Sequence, residues 1–234
     1  YDRFVNQGAV MGDSFGLENV LWFANNKEDA HEEPTIKRSR SHDYVSKEVI
    51  NVRENVGLIE VANFSKHEFK GPDARKFLDH IMAGRLPKPG RISLSPMLSY
   101  RGKLCGDLTV ACLDENEFMV FGSGAAQEMH RRWFESHLDK FNLSYSNRSD
   151  EYHGLSIAGP NSRKVLEKIV RDDVSNEKFK FRDSRRMFVG GVPAIINRIS
   201  FTGELGYEIY VAPHYQLKLY EELMEAGKEF NIKP

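Results

Sequence analysis

The spacing of apolar residues along the chain predicts both helices and strands. Residues 25–43 are polar and charged without any period, which favours a loop or an excursion over the surface. A helix is predicted over residues 45–52 and a strand over residues 57–62. After the Gly71-Pro72 turn, apolar residues recur at helical spacing until Gly84, which predicts a helix whose core face is Ala74, Phe77, Leu78, Ile81 and Met82.

The later part of the chain continues in the same way. We predict strands near residues 92–99, 104–113, 117–122, 194–200 and 207–211. Amphipathic helices are predicted over residues 125–139 and 214–226, and the apolar side of the first holds Met129, Trp133 and Leu138. Gly190-Gly191 predicts a hairpin turn between two apolar strands. This mixture of elements indicates an α+β fold.

Two segments of the chain are similar to each other. Residues 71–81 and 159–169 both begin with Gly-Pro and share Arg-Lys-x-Leu, and Gly57-Leu58 before the first is matched by Gly154-Leu155 before the second. The similarity predicts two related α+β halves, residues 46–145 and 146–234, with a crevice for a small ligand between them. Residues 1–45 are then a lead-in segment and linker. Alternatively, Gly-Pro is simply a favourable start for a helix.

Composition and charge narrow the classes of function. The chain has 234 residues and a net charge of −1, so no overall basic field attracts nucleic acid or an anionic membrane. No apolar run is long enough to span a bilayer. The two cysteines, Cys105 and Cys112, are seven positions apart in one predicted strand, so they face opposite sides and are predicted to be small buried thiols. We expect a reducing compartment: the cytoplasm, or the mitochondrial matrix in a eukaryote.

Several familiar chemistries lack their motifs. The eight histidines are scattered without His-Glu-x-x-His, so no metal site is predicted, and His130 and His137 are interpreted as a surface pair. No Gly-x-Ser-x-Gly elbow is present for a serine nucleophile. Gly122-Ser123-Gly124 after a strand imitates a dinucleotide-binding turn, but Gln127 occupies the third glycine position, which disfavours nucleotide binding.

Two carboxylates stand in unusual surroundings. Asp107 shares one face of a predicted strand with Cys105, Thr109 and Ala111, whose small side chains leave room for a ligand. On the pattern alone, a turn aspartate that bonds nearby backbone N–H groups is the favoured interpretation, because aspartate is common at turns. Glu208 stands in the middle of a strand, where it either faces water or needs a hydrogen-bond donor. A buried carboxylate there is able to accept parallel hydrogen bonds from an amidine-like ring edge.

Four motifs together resemble the folate-dependent aminomethyltransferase family. They are Lys70-Gly71-Pro72-Asp73-Ala74, the stretch 102–110, Gly159-Pro160-Asn161-Ser162-Arg163 and Thr202-Gly203-Glu204-x-Gly206-Tyr207-Glu208. The family includes the T-protein of glycine cleavage, a dimethylsulfoniopropionate demethylase, and the C-terminal half of dimethylglycine and sarcosine dehydrogenases. Residues 11–18 followed by Trp22-Phe23 are most similar to the dehydrogenases.

The resemblance implies a fold, an activity and site residues. It implies two facing subdomains of the T-protein type, here without the family's C-terminal barrel, so that the domain over residues 46–234 is truncated. It implies that Asp107 is the catalytic aspartate and that Glu208 binds the pterin edge of tetrahydrofolate. Phe201 and Leu94 stand where family members have tyrosines, Phe64 stands where the T-protein has methionine, and Lys103 replaces a glycine near Asp107.

The resemblance also implies partners. In the dehydrogenases an upstream FAD-containing domain oxidises a methylated amine, and the resulting iminium passes its methylene group to tetrahydrofolate. This chain lacks that flavin domain and is expected to act with it, or to be inactive alone. The alternatives are a stand-alone T-protein-like aminomethyltransferase or demethylase, and a non-catalytic folate-binding regulatory domain.

Overall fold

The computed structural model describes residues 1–14, 16–32 and 34–234. Phe15, which belongs to the segment 11–18 that resembles the dehydrogenases, lies outside the described residues. The helices are α1 (Asp2–Asn6), α2 (Ser41–Glu54), α3 (Ala74–Ile81), α4 (Gln127–Glu135), α5 (Ser162–Ile169) and α6 (Gln216–Gly227). The strands are β1 (Ala9–Ser14), β2 (Leu17–Phe23), β3 (Val56–Glu60), β4 (Ser65–Lys70), β5 (Arg91–Leu98), β6 (Leu104–Asp114), β7 (Glu117–Gly122), β8 (Ser144–Asn147), β9 (His153–Ala158), β10 (Ser184–Val189), β11 (Val192–Asn197), β12 (Gly206–Val211) and β13 (Ile232–Lys233).

Two sheets with helices on their outer faces form the body of the fold. Sheet I has the order β5-β6-β7-β4-β8, and sheet II has the order β10-β11-β12-β9-β3-β13. Helices α3 and α4 pack on sheet I through a core that includes Phe77, Leu108 and Phe134. Helices α5 and α6 pack on sheet II through a core that includes Leu166 and Leu223. The α+β class is therefore confirmed.

The two sheets pack against each other through a third apolar cluster. We call it the inter-sheet cluster; its buried members are Val61, Ile92, Ala111, Met119, Phe121, Ile195 and Tyr210. Phe121 of β7 and Tyr210 of β12 stack with ring centroids 4.6 Å apart. Because strand side chains alternate between faces, each sheet presents every second residue to the other sheet.

The N-terminal segment adds a hairpin that the sequence pattern did not predict. Strands β1 and β2 pair antiparallel, and Val10, Trp22 and Ala24 form a small core with Tyr44 of α2. The loop predicted over residues 25–43 is confirmed at residues 25–32 and 34–40, since α2 begins at Ser41, four residues before its predicted start. No described helix has both the length and the apolar character to cross a membrane.

The internal similarity is confirmed at the Gly-Pro turns but not at the strands before them. Gly71 and Gly159 both adopt positive φ, 138° and 125°, and each turn leads into an eight-residue helix. The strand before the first turn is β4 rather than the Gly57-Leu58 strand. Strand β3 instead pairs with β9 in sheet II, so matching Gly57-Leu58 to Gly154-Leu155 was wrong.

The buried face of helix α4 is shifted from the predicted one. His130 and Phe134 are its buried residues, and the predicted Trp133 and Leu138 pack partly buried against the same core, whereas Met129 is 49% exposed. His130 therefore does not form a surface pair with His137. The His130 ring packs against Gly106 and Gly122, since a Cβ on either glycine would lie within about 3 Å of a ring nitrogen. Two glycines on sheet I thus create the space that the imidazole fills.

A second histidine lies beside His130 in the same core. His67 of β4 has no solvent exposure, its ring lies 5.0 Å from Phe134, and its Nδ1 bonds the Tyr145 hydroxyl at 2.9 Å. Burial, and next the neighbouring His130, lowers the pKa of His67 to about 4, and the charge of Glu128 offsets this only in part. The ring is therefore neutral in the folded protein at neutral pH.

This buried imidazole predicts that the fold loses stability in mild acid. The unfolded chain protonates His67 below its ordinary pKa of 6.5, whereas the folded chain does so only near pH 4. Stability is therefore lost as the pH falls from about 6.5 to 4, by about 2 kcal/mol between pH 7 and pH 5. Urea denaturation at the two pH values checks this. His67→Phe should show a smaller pH dependence, and an equal dependence would contradict the assignment.

Candidate functional site

Asp107 lies near the start of β6, on the face of sheet I that is turned towards sheet II. It is exposed and pairs across the strands with Pro96. No backbone or side-chain donor of the described residues hydrogen-bonds to its carboxylate, and no described cation forms an ion pair with it. The turn interpretation therefore does not hold, because such an aspartate would accept backbone N–H groups. Asp107 borders a depression of about 280 Å³ lined also by Leu104, Cys105, Gly106, Ser123, Ala126 and His130.

Glu208 lies on the opposing face of sheet II. It is in the middle of β12, as predicted, and only 9% of it is exposed. The Tyr210 hydroxyl donates to Oε2 at 2.8 Å, while Oε1 receives no hydrogen bond from the described part of the chain. Burial raises the pKa of Glu208, and the hydrogen bond from Tyr210 opposes that rise. The second oxygen is thus an acceptor without a donor on a side chain that is only 9% exposed, which is what a ligand N–H group requires.

A continuous set of contacts joins the two carboxylates. Asp107 and Thr109 share a face of β6, and Thr109 pairs with Phe121 of β7. Phe121 stacks on Tyr210, which in turn holds Glu208. Asp107 therefore lies on the sheet I side of the inter-sheet cluster, and Glu208 lies on its sheet II side.

Of the other predicted site residues, Leu94 and Phe64 lie on or beside the face between the sheets, whereas Phe201 and Lys103 lie in connecting segments. Leu94 pairs with Thr109, so it shares the face of Asp107, and it is 62% exposed. Phe64 is half-buried against the inter-sheet cluster. Phe201, in the segment before β12, is 95% exposed and makes no aromatic contact with a described ring. Lys103 belongs to the β5–β6 connection, where its N–H donates to the Ser99 hydroxyl at 3.2 Å.

Two residues near the site were not predicted from the sequence. Tyr210 is two positions after Glu208, so the period of a strand could have placed both on one face. Lys66 of β4 lies between the sheets; its Nζ donates to the Ala62 carbonyl at 2.6 Å and lies 6.0 Å from the centre of the Tyr210 ring. Burial lowers the pKa of Lys66 to about 8, although the charges of Asp150 and Glu60 oppose this. No strand was predicted there, so nothing pointed to this lysine.

The chain is similar to known proteins over its whole length. Residues 1–234 match the model of the GCVT N-terminal domain. The chain is 35% identical over 225 residues to mitochondrial dimethylglycine dehydrogenase of Mus musculus, covering 95% of this chain and 26% of that protein. It is 32% identical over 242 residues to sarcosine oxidase subunit alpha of Rhizobium meliloti, covering 100% of this chain and 24% of that one. The chain therefore spans about a quarter of the length of these relatives.

A solved structure shows the same fold. The glycine cleavage system aminomethyltransferase T from Bartonella henselae superimposes with a TM-score of 0.80 at 21% identity, over 100% of this chain and 57% of that one. The fold, the motif order and the match over all 234 residues agree. This chain belongs to the GCVT N-terminal domain family, a folate-binding family that contains aminomethyltransferases and parts of dimethylglycine dehydrogenase and sarcosine oxidase.

Proposed function

We propose that this chain is the tetrahydrofolate-binding, one-carbon-transfer domain of a flavin-dependent dimethylglycine or sarcosine dehydrogenase. The observation that carries the proposal is the buried Glu208 carboxylate, whose Oε1 has no donor among the described residues and which faces the sheet that bears Asp107. A pterin presents adjacent N–H groups on one edge, and a carboxylate pairs with such an edge through parallel hydrogen bonds. The acceptor oxygens of Glu208 thus fit the N–H groups of the folate head group.

Two apolar side chains, Leu94 and Phe64, are suited to contact the rings of the ligand. Leu94 offers an exposed apolar side chain on the face of Asp107, and Phe64 lies against the inter-sheet cluster. A pterin seated on Glu208 would face the side of sheet I that carries Leu94 and Asp107. We infer that residues 46–234 form this folate domain, with residues 1–45 as its lead-in, in a cytoplasmic or mitochondrial-matrix protein.

The proposed methylene transfer depends on the negative charge of Asp107. Tetrahydrofolate, when bound, supplies the two nitrogens that take up the methylene group of an iminium ion. Asp107 carries negative charge on the open face, which stabilises the cationic iminium as it approaches. Its carboxylate is also placed to accept a proton that a folate nitrogen loses on forming its new bond to carbon. Of the two protons displaced, one leaves with the released amine and one passes to solvent.

The proposal is tested on the intact protein that contains this chain. Calorimetry with tetrahydrofolate measures binding, and conversion of tetrahydrofolate and a methylated glycine to methylenetetrahydrofolate measures transfer. Binding with transfer supports the proposal. Binding without transfer favours a non-catalytic folate-binding domain, and absence of binding overturns both.

The exposed ring of Phe201 gives a further prediction. If it packs on the bound folate, Phe201→Ala should weaken tetrahydrofolate binding about fivefold, since aromatic stacking contributes roughly 0.5–1.5 kcal/mol. Folding stability should not change, because the side chain is 95% exposed. Phe188→Ala, at a ring that is 63% exposed on β10, is the matched control and should leave binding unaltered. Equal affinity in Phe201→Ala and the unmodified protein would remove Phe201 from the site.

A further inference from the structure

A row of polar residues crosses sheet II at the level of Glu208. Ser184 of β10 pairs with Asn197 of β11, and Asn197 pairs with Glu208 of β12. Residues directly opposite each other on antiparallel strands project from the same face. Asn197 therefore points towards sheet I, next to the Glu208 carboxylate.

The amide of Asn197 is buried and only half satisfied. The side chain has no solvent exposure, and the Ser184 hydroxyl donates to its Oδ1 at 2.7 Å. The Nδ2 group finds no acceptor in the described part of the structure. Because Ser184 holds Oδ1 as the acceptor, the orientation of the amide is fixed with Nδ2 as the group that needs a partner. A buried donor without an acceptor is unusual in folded proteins and calls for an explanation.

Asn197 and Glu208 together form a directional pattern. Glu208 offers an acceptor, Oε1, and the adjacent Asn197 offers a donor, Nδ2. The ligand edge that complements this pattern carries N–H groups beside a carbonyl oxygen. The 2-amino-4-oxo edge of a pterin has that order, whereas a 2,4-diamino analogue carries an amino group in place of the carbonyl. Asn197 has no solvent exposure and projects towards sheet I beside Glu208, so the side chains that cover Nδ2 have to move as a ligand enters between the sheets on the Glu208 side.

We propose that Asn197 is a specificity-determining residue, which donates from Nδ2 to the 4-oxo oxygen of a pterin that pairs with Glu208. This rests on the proposed function and adds to it the reason for selecting a 4-oxo ring. Ser184 is a positioning residue, because it acts only by holding Oδ1. A site that must hydrogen-bond its ligand rejects an analogue that lacks the matching group, since the buried polar atom is then left unpaired.

The test compares two ligands on the intact protein, tetrahydrofolate and its 4-amino-4-deoxy analogue. The unmodified protein should prefer the 4-oxo compound. Asn197→Leu, which keeps the approximate shape but removes the donor, should lower that preference about tenfold, mainly by weakening the 4-oxo compound. A purely structural role would weaken both ligands alike and leave the ratio unchanged. An unchanged ratio in a folded variant overturns the inference.

A second variant covers the case in which Asn197→Leu does not fold. Ser184→Ala keeps Asn197 but frees its amide to rotate, so the preference for the 4-oxo compound should fall by several-fold. The same ratio as in the unmodified protein counts against the inference. The two proposals fail in different ways: if tetrahydrofolate binds and Glu208→Gln weakens it while neither variant alters the ratio, only the role of Asn197 is lost. If the unmodified protein binds neither ligand, the proposed function fails as well.

Discussion

Asp107→Asn is expected to lower the rate of methylene transfer at least about 10²-fold while leaving tetrahydrofolate affinity within about twofold. The substitution keeps the shape of the side chain but removes its charge and its capacity to take a proton. A positioned acid or base typically contributes 10²–10⁴-fold, and loss of charge stabilisation acts in the same direction. Affinity should change little, because Asp107 is exposed and lies on the sheet opposite the predicted pterin-binding carboxylate. Single-turnover formation of methylenetetrahydrofolate separates the two effects.

The control for this variant lies on the same strand. Asp114, at the far end of β6, is also an exposed carboxylate, and among the described residues only the N–H of Glu115 donates to its Oδ1. Asp114→Asn should transfer at the normal rate. If Asp107→Asn transfers as fast as the unmodified protein, or if Asp114→Asn is equally slow, Asp107 is not the catalytic residue.

The parts of the fold that follow simple periods were predictable. Strands β5, β6 and β7 begin and end within about one residue of their predicted bounds, because apolar residues there alternate between short polar turns. The Gly190-Gly191 hairpin was predictable for a backbone reason. Both glycines adopt positive φ, 57° and 78°, as the tight turn requires.

Strand β4 was not predictable from its own residues. Its sequence from Ser65 to Lys70 is mostly polar, yet every position except Lys70 is buried. The strand lies between β7 and β8, so its burial is imposed by partners that are distant in sequence. The same context conceals Lys66 and His67, since a lysine and a histidine in a polar run ordinarily indicate a solvated loop.

The sequence predicts the hydrogen-bond acceptor of the site, Glu208, but not the neighbouring donor, Asn197. Glu208 could be singled out because a carboxylate in the middle of an apolar strand needs an explanation. Asn197 could not be singled out, because its position beside Glu208 depends on the register of β11 with β12. Register is set by the pairing of whole strands and does not appear in any local motif.

Glu208→Gln is expected to weaken tetrahydrofolate binding about 10²-fold or more. A glutamine at this position exchanges one acceptor oxygen for an amide group that donates, so it faces the pterin N–H groups with a donor. Hydrogen bonds to a charged group contribute about 1.5–3 kcal/mol each, and the substitution affects two of them. The fold itself should not be weakened, because burial disfavours the ionised carboxylate that the variant removes.

Glu204→Gln provides the matched control four residues earlier. Its carboxylate lies 3.9 Å from Arg53 at the surface, so neither binding nor stability should respond measurably. Normal affinity in Glu208→Gln, or an equal loss in Glu204→Gln, would contradict the assignment of Glu208 to the pterin.

The pH dependence of binding distinguishes the role of the charge from that of shape. Burial raises the pKa of Glu208 above its ordinary 4.5, so the ionised fraction falls as the pH is lowered towards that raised value. Affinity for tetrahydrofolate should therefore decrease in mild acid in the unmodified protein. The decrease should be absent in Glu208→Gln, which has no proton to gain. The buried His67 also makes the fold less stable in acid. The titration is therefore made above the pH at which unfolding begins, and the folded fraction is followed by circular dichroism. An identical pH profile in both proteins would show that the charge of Glu208 does not hold the ligand.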